Sequence, residues 1–161
     1  MKRQSESFCQ PLTPGNLDQP FTQTLTPSEA LLLISVLAVA ADGQLLDVEQ
    51  ETLEIHYHRF AGEPSPPSFR EHLSHLCHLT TQYRGEDILA AAKQTLSPHL
   101  RETAFAIAVD VVLADGVFTP EEKEFITELW NSLDIPDEIG QKIIDVMVIK
   151  NCRSQEEGGR V

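Results

Sequence analysis

A chain of 161 residues, 41% of them hydrophobic, is long enough to enclose one hydrophobic core. Its 25 acidic side chains outnumber the 12 lysines and arginines, which gives a formal net charge of −13. Because such a field repels phosphate backbones and anionic membrane surfaces, we expect no nucleic-acid partner and favour cations or basic protein surfaces instead.

Both ends of the chain are predicted to lie outside the folded domain. Residues 1–25 carry prolines and little apolar periodicity, which is typical of a mobile N-terminal arm, and residues 152–161 are expected to form a flexible tail. Three widely separated cysteines and the lack of a signal peptide favour a cytoplasmic protein. The strongest apolar run, residues 30–41, is shorter than the about 20 residues that a membrane-spanning helix needs.

Between these ends, residues 26–151 are predicted to form one all-α domain, a bundle of about seven helices. Two predicted helices, at about 26–41 and 98–114, are apolar on nearly every side, so we expect them in the middle of the bundle. Five amphipathic helices should surround them, at about 47–60, 68–83, 86–96, 120–133 and 136–150. No segment alternates convincingly enough to predict a strand.

The most informative motif occurs twice. Ala41-Asp42-Gly43 is followed by Glu49, and Ala114-Asp115-Gly116 is followed by Glu122; the spacing from Asp to Glu is seven residues in both copies. An apolar helix precedes each copy. The chain therefore consists, by this interpretation, of two related helix–Asp-Gly–helix units.

Two interpretations of the motif are open. In the structural one, each glycine adopts a left-handed conformation, each Asp accepts hydrogen bonds from loop amides, and Glu122 forms a capping box with Thr119. In the functional one, the carboxylates of both loops supply hard oxygen ligands to a divalent cation, and these ligands are Asp42, Glu49, Asp115 and Glu122.

Asp110 extends the functional interpretation. It lies five residues before Asp115 on an apolar helix, and a buried carboxylate is rarely left without a partner. Leu37 takes its place in the first unit, so a metal site would be centred on the second loop. The alternative partner of Asp110 is an arginine or lysine that the sequence does not identify.

Other sites have weaker support. A calcium EF-hand is rejected because apolar residues occupy the first half of its loop. The third helix carries a histidine at every third position, His72, His75 and His78, and two of them could bind zinc. The further ligands that a zinc site needs, at a characteristic spacing in the sequence, are missing. Exposed or core-edge histidines are the favoured alternative. No arrangement typical of a catalytic nucleophile stands out.

Two stretches of the chain resemble the tellurite-resistance TerB-like family, a cytoplasmic all-helical domain. They are Leu37-Ala38-Val39-Ala40-Ala41-Asp42-Gly43 with Glu49, and Ser97-Pro98 through Arg101 and Asp110 to Leu113-Ala114-Asp115-Gly116-Val117-Phe118-Thr119-Pro120-Glu121-Glu122. The resemblance covers about residues 26–151. It implies a metal-binding patch formed by Asp42, Glu49, Asp110, Asp115 and Glu122.

The first unit departs from the second at one position. Leu46 stands where Thr119 caps the second unit, so we expect the helix cap to pass to Asp47, which would shift the helix start and with it Glu49.

The resulting hypothesis is a non-enzymatic cytoplasmic domain of the tellurite- or stress-resistance type. It binds a divalent metal ion, Ca²⁺, Mg²⁺ or Zn²⁺, through its acidic loops and acts as an interaction module for a protein partner; a homodimer is compatible with it. The alternative is a metal-independent helical module that presents a groove or helix face to a protein or a small ligand. A third class, a hydrolase with zinc on His75 and His78, has the least support.

Overall fold

The computed structural model describes residues 19–60 and 68–152, and every regular element within these ranges is a helix. The helices are α1 (Pro27–Ala40), α2 (Asp47–Phe60), α3 (Phe69–Gln82), α4 (Gly85–Thr95), α5 (Pro98–Val112), α6 (Pro120–Ser132) and α7 (Asp137–Asn151). The predicted all-α bundle is confirmed, and its predicted helix ends lie within two residues of those observed.

The two apolar helices form the centre of the bundle. All residues of α1 from Ala30 to Val39 are buried, and α5 is buried almost without interruption from Ala104 onward. The two helices pack against each other, and α1 also packs against α2, α3, α4 and α6. Because both helices are apolar on nearly every side, they can bury their side chains only in the middle of the bundle.

Helix starts are fixed by local hydrogen bonds. In α1 the Thr26 hydroxyl accepts the Glu29 amide at 3.2 Å, and the Glu29 carboxylate accepts the Thr26 amide at 2.7 Å. The same reciprocal box begins α3 with Ser68 and Glu71. Each box satisfies two amides that would otherwise lack a partner at the helix end.

A second set of polar contacts fixes the corner between α4, α5 and the turn after α6. The Arg101 guanidinium donates to the carbonyls of Lys93 and Leu96 at the end of α4. Lys93 pairs with Asp134 at 2.6 Å, and Asp134 itself has a positive φ of 54° in the turn before α7. Arg101, near the start of α5, thus joins this helix to the end of α4.

The chain outside the helices is only partly described. Of the predicted arm, residues 1–18 lie outside the described residues, whereas Phe21 packs edge-on against Tyr83 with ring centroids 5.0 Å apart, and Leu25 is buried. Of the predicted tail, only Cys152 is described, and it is exposed. Among the described helices, none is both long enough and apolar enough to cross a membrane.

Candidate functional site

The two Asp-Gly motifs form the same turn, between α1 and α2 and between α5 and α6. Gly43 and Gly116 have φ values of 76° and 80°, in the left-handed region that disfavours other residues. The Asp42 carboxylate accepts the amide of Gln44 at 2.9 Å, and the Asp115 carboxylate accepts the amide two residues further along the chain at 2.9 Å. The structural roles predicted for the glycines and aspartates are therefore confirmed.

The glutamates of the motifs occupy equivalent positions at the starts of α6 and α2. Glu122 accepts the Thr119 amide at 2.9 Å, and the Thr119 hydroxyl accepts the Glu122 amide at 3.2 Å, which completes the predicted capping box. Glu49 accepts the amide of Leu46 at 2.7 Å, but Leu46 has no hydroxyl that could accept the Glu49 amide. The first unit thus keeps half of the box.

The expectation that the cap passes to Asp47 is wrong. Asp47 is already the first residue of α2, and the Leu46 carbonyl accepts the first helical hydrogen bond, from the Gln50 amide at 2.9 Å. Leu46 therefore occupies the cap position. The reason is that the Glu49 carboxylate holds the Leu46 amide, so this bond fixes the helix start without a capping hydroxyl. Glu49 keeps the geometry of Glu122.

The fold brings the acidic groups of both loops into electrostatic contact around Glu49. Its side chain is buried, with the residue only 1% exposed. Burial raises the pKa of Glu49, the hydrogen bond from Leu46 opposes this rise, and the charges of Glu122, Asp42 and Asp115 add to it, so that the pKa is about 8. A carboxyl group of this kind holds a proton at neutral pH unless a positive charge joins it.

Glu122, in the second unit, has a similar environment. It is 2% exposed, and burial raises its pKa against the opposing hydrogen bonds from Thr119, with Asp42 and Asp115 adding to the rise. Four of the five predicted ligand residues therefore lie within electrostatic reach of one another, although their two loops are 73 residues apart in the chain.

These four carboxylates lack a basic partner. In residues 19–60 and 68–152 no ion pair reaches any of them, and the second oxygen of each makes no hydrogen bond there. The same ranges contain no group of three or more His, Cys, Asp or Glu side chains already close enough to hold a metal ion. The carboxylates that are ionised thus repel one another. To share an ion, the four side chains would have to move closer together.

Asp110 lies in a different polar cluster. Its Oδ2 is 2.9 Å from His56 Nε2 on α2, and its Oδ1 accepts hydrogen bonds from Lys150 at 2.7 Å and from Asn151 at 2.8 Å, both on α7. Burial would raise the pKa of Asp110, but these hydrogen bonds outweigh it and hold the pKa well below its usual range. The basic partner left open by the sequence is Lys150.

Sequence reasoning missed His56, Lys150 and Asn151 as partners of Asp110. They lie 54, 40 and 41 residues away from it in the chain, so no local spacing points to them. The available signal was the charge of Asp110 on an apolar helix, which required some polar partner without identifying it.

The histidines of α3 separate into two environments. His72 lies partly buried between Tyr57, whose hydroxyl is 3.4 Å from His72 Nδ1, and Glu29, at 3.7 Å from His72 Nε2. His75 and His78 are exposed. This arrangement corresponds to the core-edge and exposed positions expected in the alternative to a zinc site.

Comparison of the chain with family models, with curated proteins and with solved structures finds no match. The TerB-like resemblance therefore rests on the motif residues alone and stays a prediction.

Proposed function

We propose that this chain is a divalent-cation-binding interaction domain. The observation that carries the proposal is the gathering of four carboxylates from two loops with no basic side chain paired to them in the described structure, and the ligands would be Asp42, Glu49, Asp115 and Glu122. Two of the four are almost completely buried. A cation would replace their mutual repulsion by attraction and would use the oxygens that the loop amides leave free.

The donor chemistry favours Ca²⁺ or Mg²⁺. All four candidate ligands are hard carboxylate oxygens, which suit these ions, whereas Zn²⁺ prefers nitrogen and sulfur ligands. The half-buried Asp42 and Asp115 are open to solvent, and the buried Glu49 and Glu122 lie at the helix starts. Asp110 is left out of the proposed ligand set because His56, Lys150 and Asn151 already satisfy its carboxylate.

A bound cation would link the two halves of the bundle. Because one pair of ligands belongs to the α1–α2 unit and the other to the α5–α6 unit, their shared ion would restrain the two loops relative to each other. A partner protein could then distinguish the loaded from the empty domain by the surface of these loops. The non-enzymatic role in tellurite or related stress resistance in the cytoplasm rests on the family resemblance.

Isothermal titration calorimetry on protein stripped with a chelator tests this function. We expect saturable heat with Ca²⁺ or Mg²⁺, lost in Asp115→Asn and Glu122→Gln. Glutamine at position 122 keeps an oxygen for the Thr119 amide, so this variant removes the charge and preserves the cap. Glu121→Gln, a change at an exposed neighbouring carboxylate, is the matched control. Absence of heat, or heat that the two site variants leave unchanged, would remove the metal from the proposal.

A metal-independent interaction module is the second candidate. The observation that favours it is that each of the four carboxylates already accepts a nearby backbone amide, which accounts for its position without an ion. The two candidates differ in their thermal unfolding. Purely structural loops predict the same midpoint with chelator and with millimolar cation, whereas a cation site predicts a midpoint that rises with cation concentration.

A further inference from the structure

Helix α7 is attached to the bundle differently from the other helices. It packs mainly on α5, and Gly140 is its one buried residue in the described structure. The side chains that face the core, such as Ile143 and Met147, are only partly buried. On the outer side three large apolar residues are 47–76% exposed, and these are Val146, Val148 and Ile149. Apolar burial alone therefore holds α7 weakly.

The N-terminal end of α7 is fixed by close packing. A Cβ atom on Gly140 would lie 2.6 Å from Cζ2 of Trp130, so the helix backbone runs directly against the indole ring. The indole nitrogen donates to the carbonyl of Ile135, at 3.1 Å, just before α7 begins. The same ring thus holds both the turn and the first part of the helix, and only glycine permits that approach.

The C-terminal end of α7 is fixed by polar contacts instead. Lys150 and Asn151 both donate to one oxygen of Asp110, and His56 on α2 holds the other oxygen. The Lys150 side chain is 55% exposed, so water lies close to this contact already. The exposed donor Lys150 can exchange its hydrogen bond for hydrogen bonds to water, whereas water offers no replacement for the packing of Gly140 on Trp130.

From this geometry we propose that α7 is a strap that opens from its C-terminal end. Opening separates Lys150 and Asn151 from Asp110, while Gly140 stays against Trp130 as the hinge. Asp110 keeps its bond to His56 and forms hydrogen bonds to water, so its charge is not left without a partner. The open strap uncovers the α5 surface beneath Ile143 and Met147, and α5 leads directly into the second Asp-Gly loop. The strap does not depend on whether a cation binds.

Hydrogen–deuterium exchange on the full chain tests the strap. In Asp110→Asn we expect amides of residues 144–151 to exchange at least about tenfold faster, because Lys150 loses its charge partner, while α1 amides stay unchanged. Asn151→Ala removes one donor at the surface and should show a smaller increase in the same segment, which keeps the test usable if the substitution in α5 impairs folding. Lys142→Ala removes the exposed pair with Glu138 on the same helix and is the matched control.

Three results would overturn the strap. Exchange that accelerates equally in all helices would show that Asp110 stabilises the whole fold. Unchanged exchange in residues 144–151 of both variants would show that the polar contacts do not hold the helix. Faster exchange in residues 141–143 than in 144–151 of the unaltered chain would show that α7 opens from its N-terminal end.

Discussion

Replacing the buried Glu49 by glutamine should stabilise the cation-free chain at alkaline pH. The pKa of Glu49 is about 8 in the folded chain against an ordinary value of 4.5. Between these values the folded chain holds a proton that the unfolded chain has lost, so the free energy of unfolding falls as the pH rises. The stability that comes from this proton is fully present below pH 4.5 and is lost as the pH rises through about 8.

The magnitude follows from the linkage between protons and folding. One group that is protonated only in the folded state changes the free energy of unfolding by about 1.4 kcal/mol per pH unit. Because the loops can relax once Glu49 ionises, we expect a loss of about 2 kcal/mol between about pH 6 and about pH 8. Glutamine carries no proton to lose, yet its side-chain oxygen can still accept the Leu46 amide.

Urea unfolding in the presence of chelator measures this effect. Trp130 is the single tryptophan of the chain, and its ring lies 5.9 Å from that of Phe105, so its fluorescence reports loss of the core. The stability difference between Glu49→Gln and the unaltered chain should grow with pH. Glu51→Gln, an exposed change on the same helix, should follow the unaltered chain. Parallel pH profiles for all three proteins would refute the argument that repulsion and burial keep Glu49 protonated.

Three further substitutions test packing and capping. Gly140→Ala should lower the free energy of unfolding by about 1–3 kcal/mol, because the new methyl group overlaps Trp130; a urea midpoint equal to that of the unaltered chain would contradict this contact. Leu46→Thr should raise stability by about 0.5 kcal/mol, because a hydroxyl there can accept the Glu49 amide and Leu46 is 38% exposed already. Thr119→Leu should lower the free energy of unfolding by a similar amount in the same urea assay, and changes of the same sign in both variants would mean that the two units are capped differently.

Most of the fold could be predicted because its signals are local. Apolar periodicity located the helices, and Thr26 and Thr119 located two of their starts through bonds that span only three residues. The cap of α2 was predicted wrongly because the rule for capping hydroxyls was applied to Leu46 alone. The Glu49 side chain, three residues later, supplies the deciding bond.

The candidate site was predictable only as far as its repeat. The repeated Asp-Gly motif placed Asp42 and Asp115 in matching turns, and packing of α1 against α5 then brought the loops within electrostatic reach. Asp110 shares the sequence neighbourhood of Asp115 but not its surroundings. Its partners come from α2 and the last turn of α7, and such distant contacts depend on the packing of whole helices, which spacing along the chain does not encode.

Leu37 and Asp110 make different kinds of contact with the neighbouring helices. These positions correspond in the repeat, yet Leu37 lies 3.9 Å from where a Cβ of Gly85 would be, at the start of α4, whereas Asp110 binds the end of α7. An apolar side chain can hold its neighbour only by excluding water, and α4 indeed buries Ile88, Leu89 and Ala92. A carboxylate needs polar partners that must reach it from an edge, and α7 stays largely exposed. Equivalent positions of the two repeats thus use different kinds of contact, apolar packing at Leu37 and hydrogen bonds at Asp110.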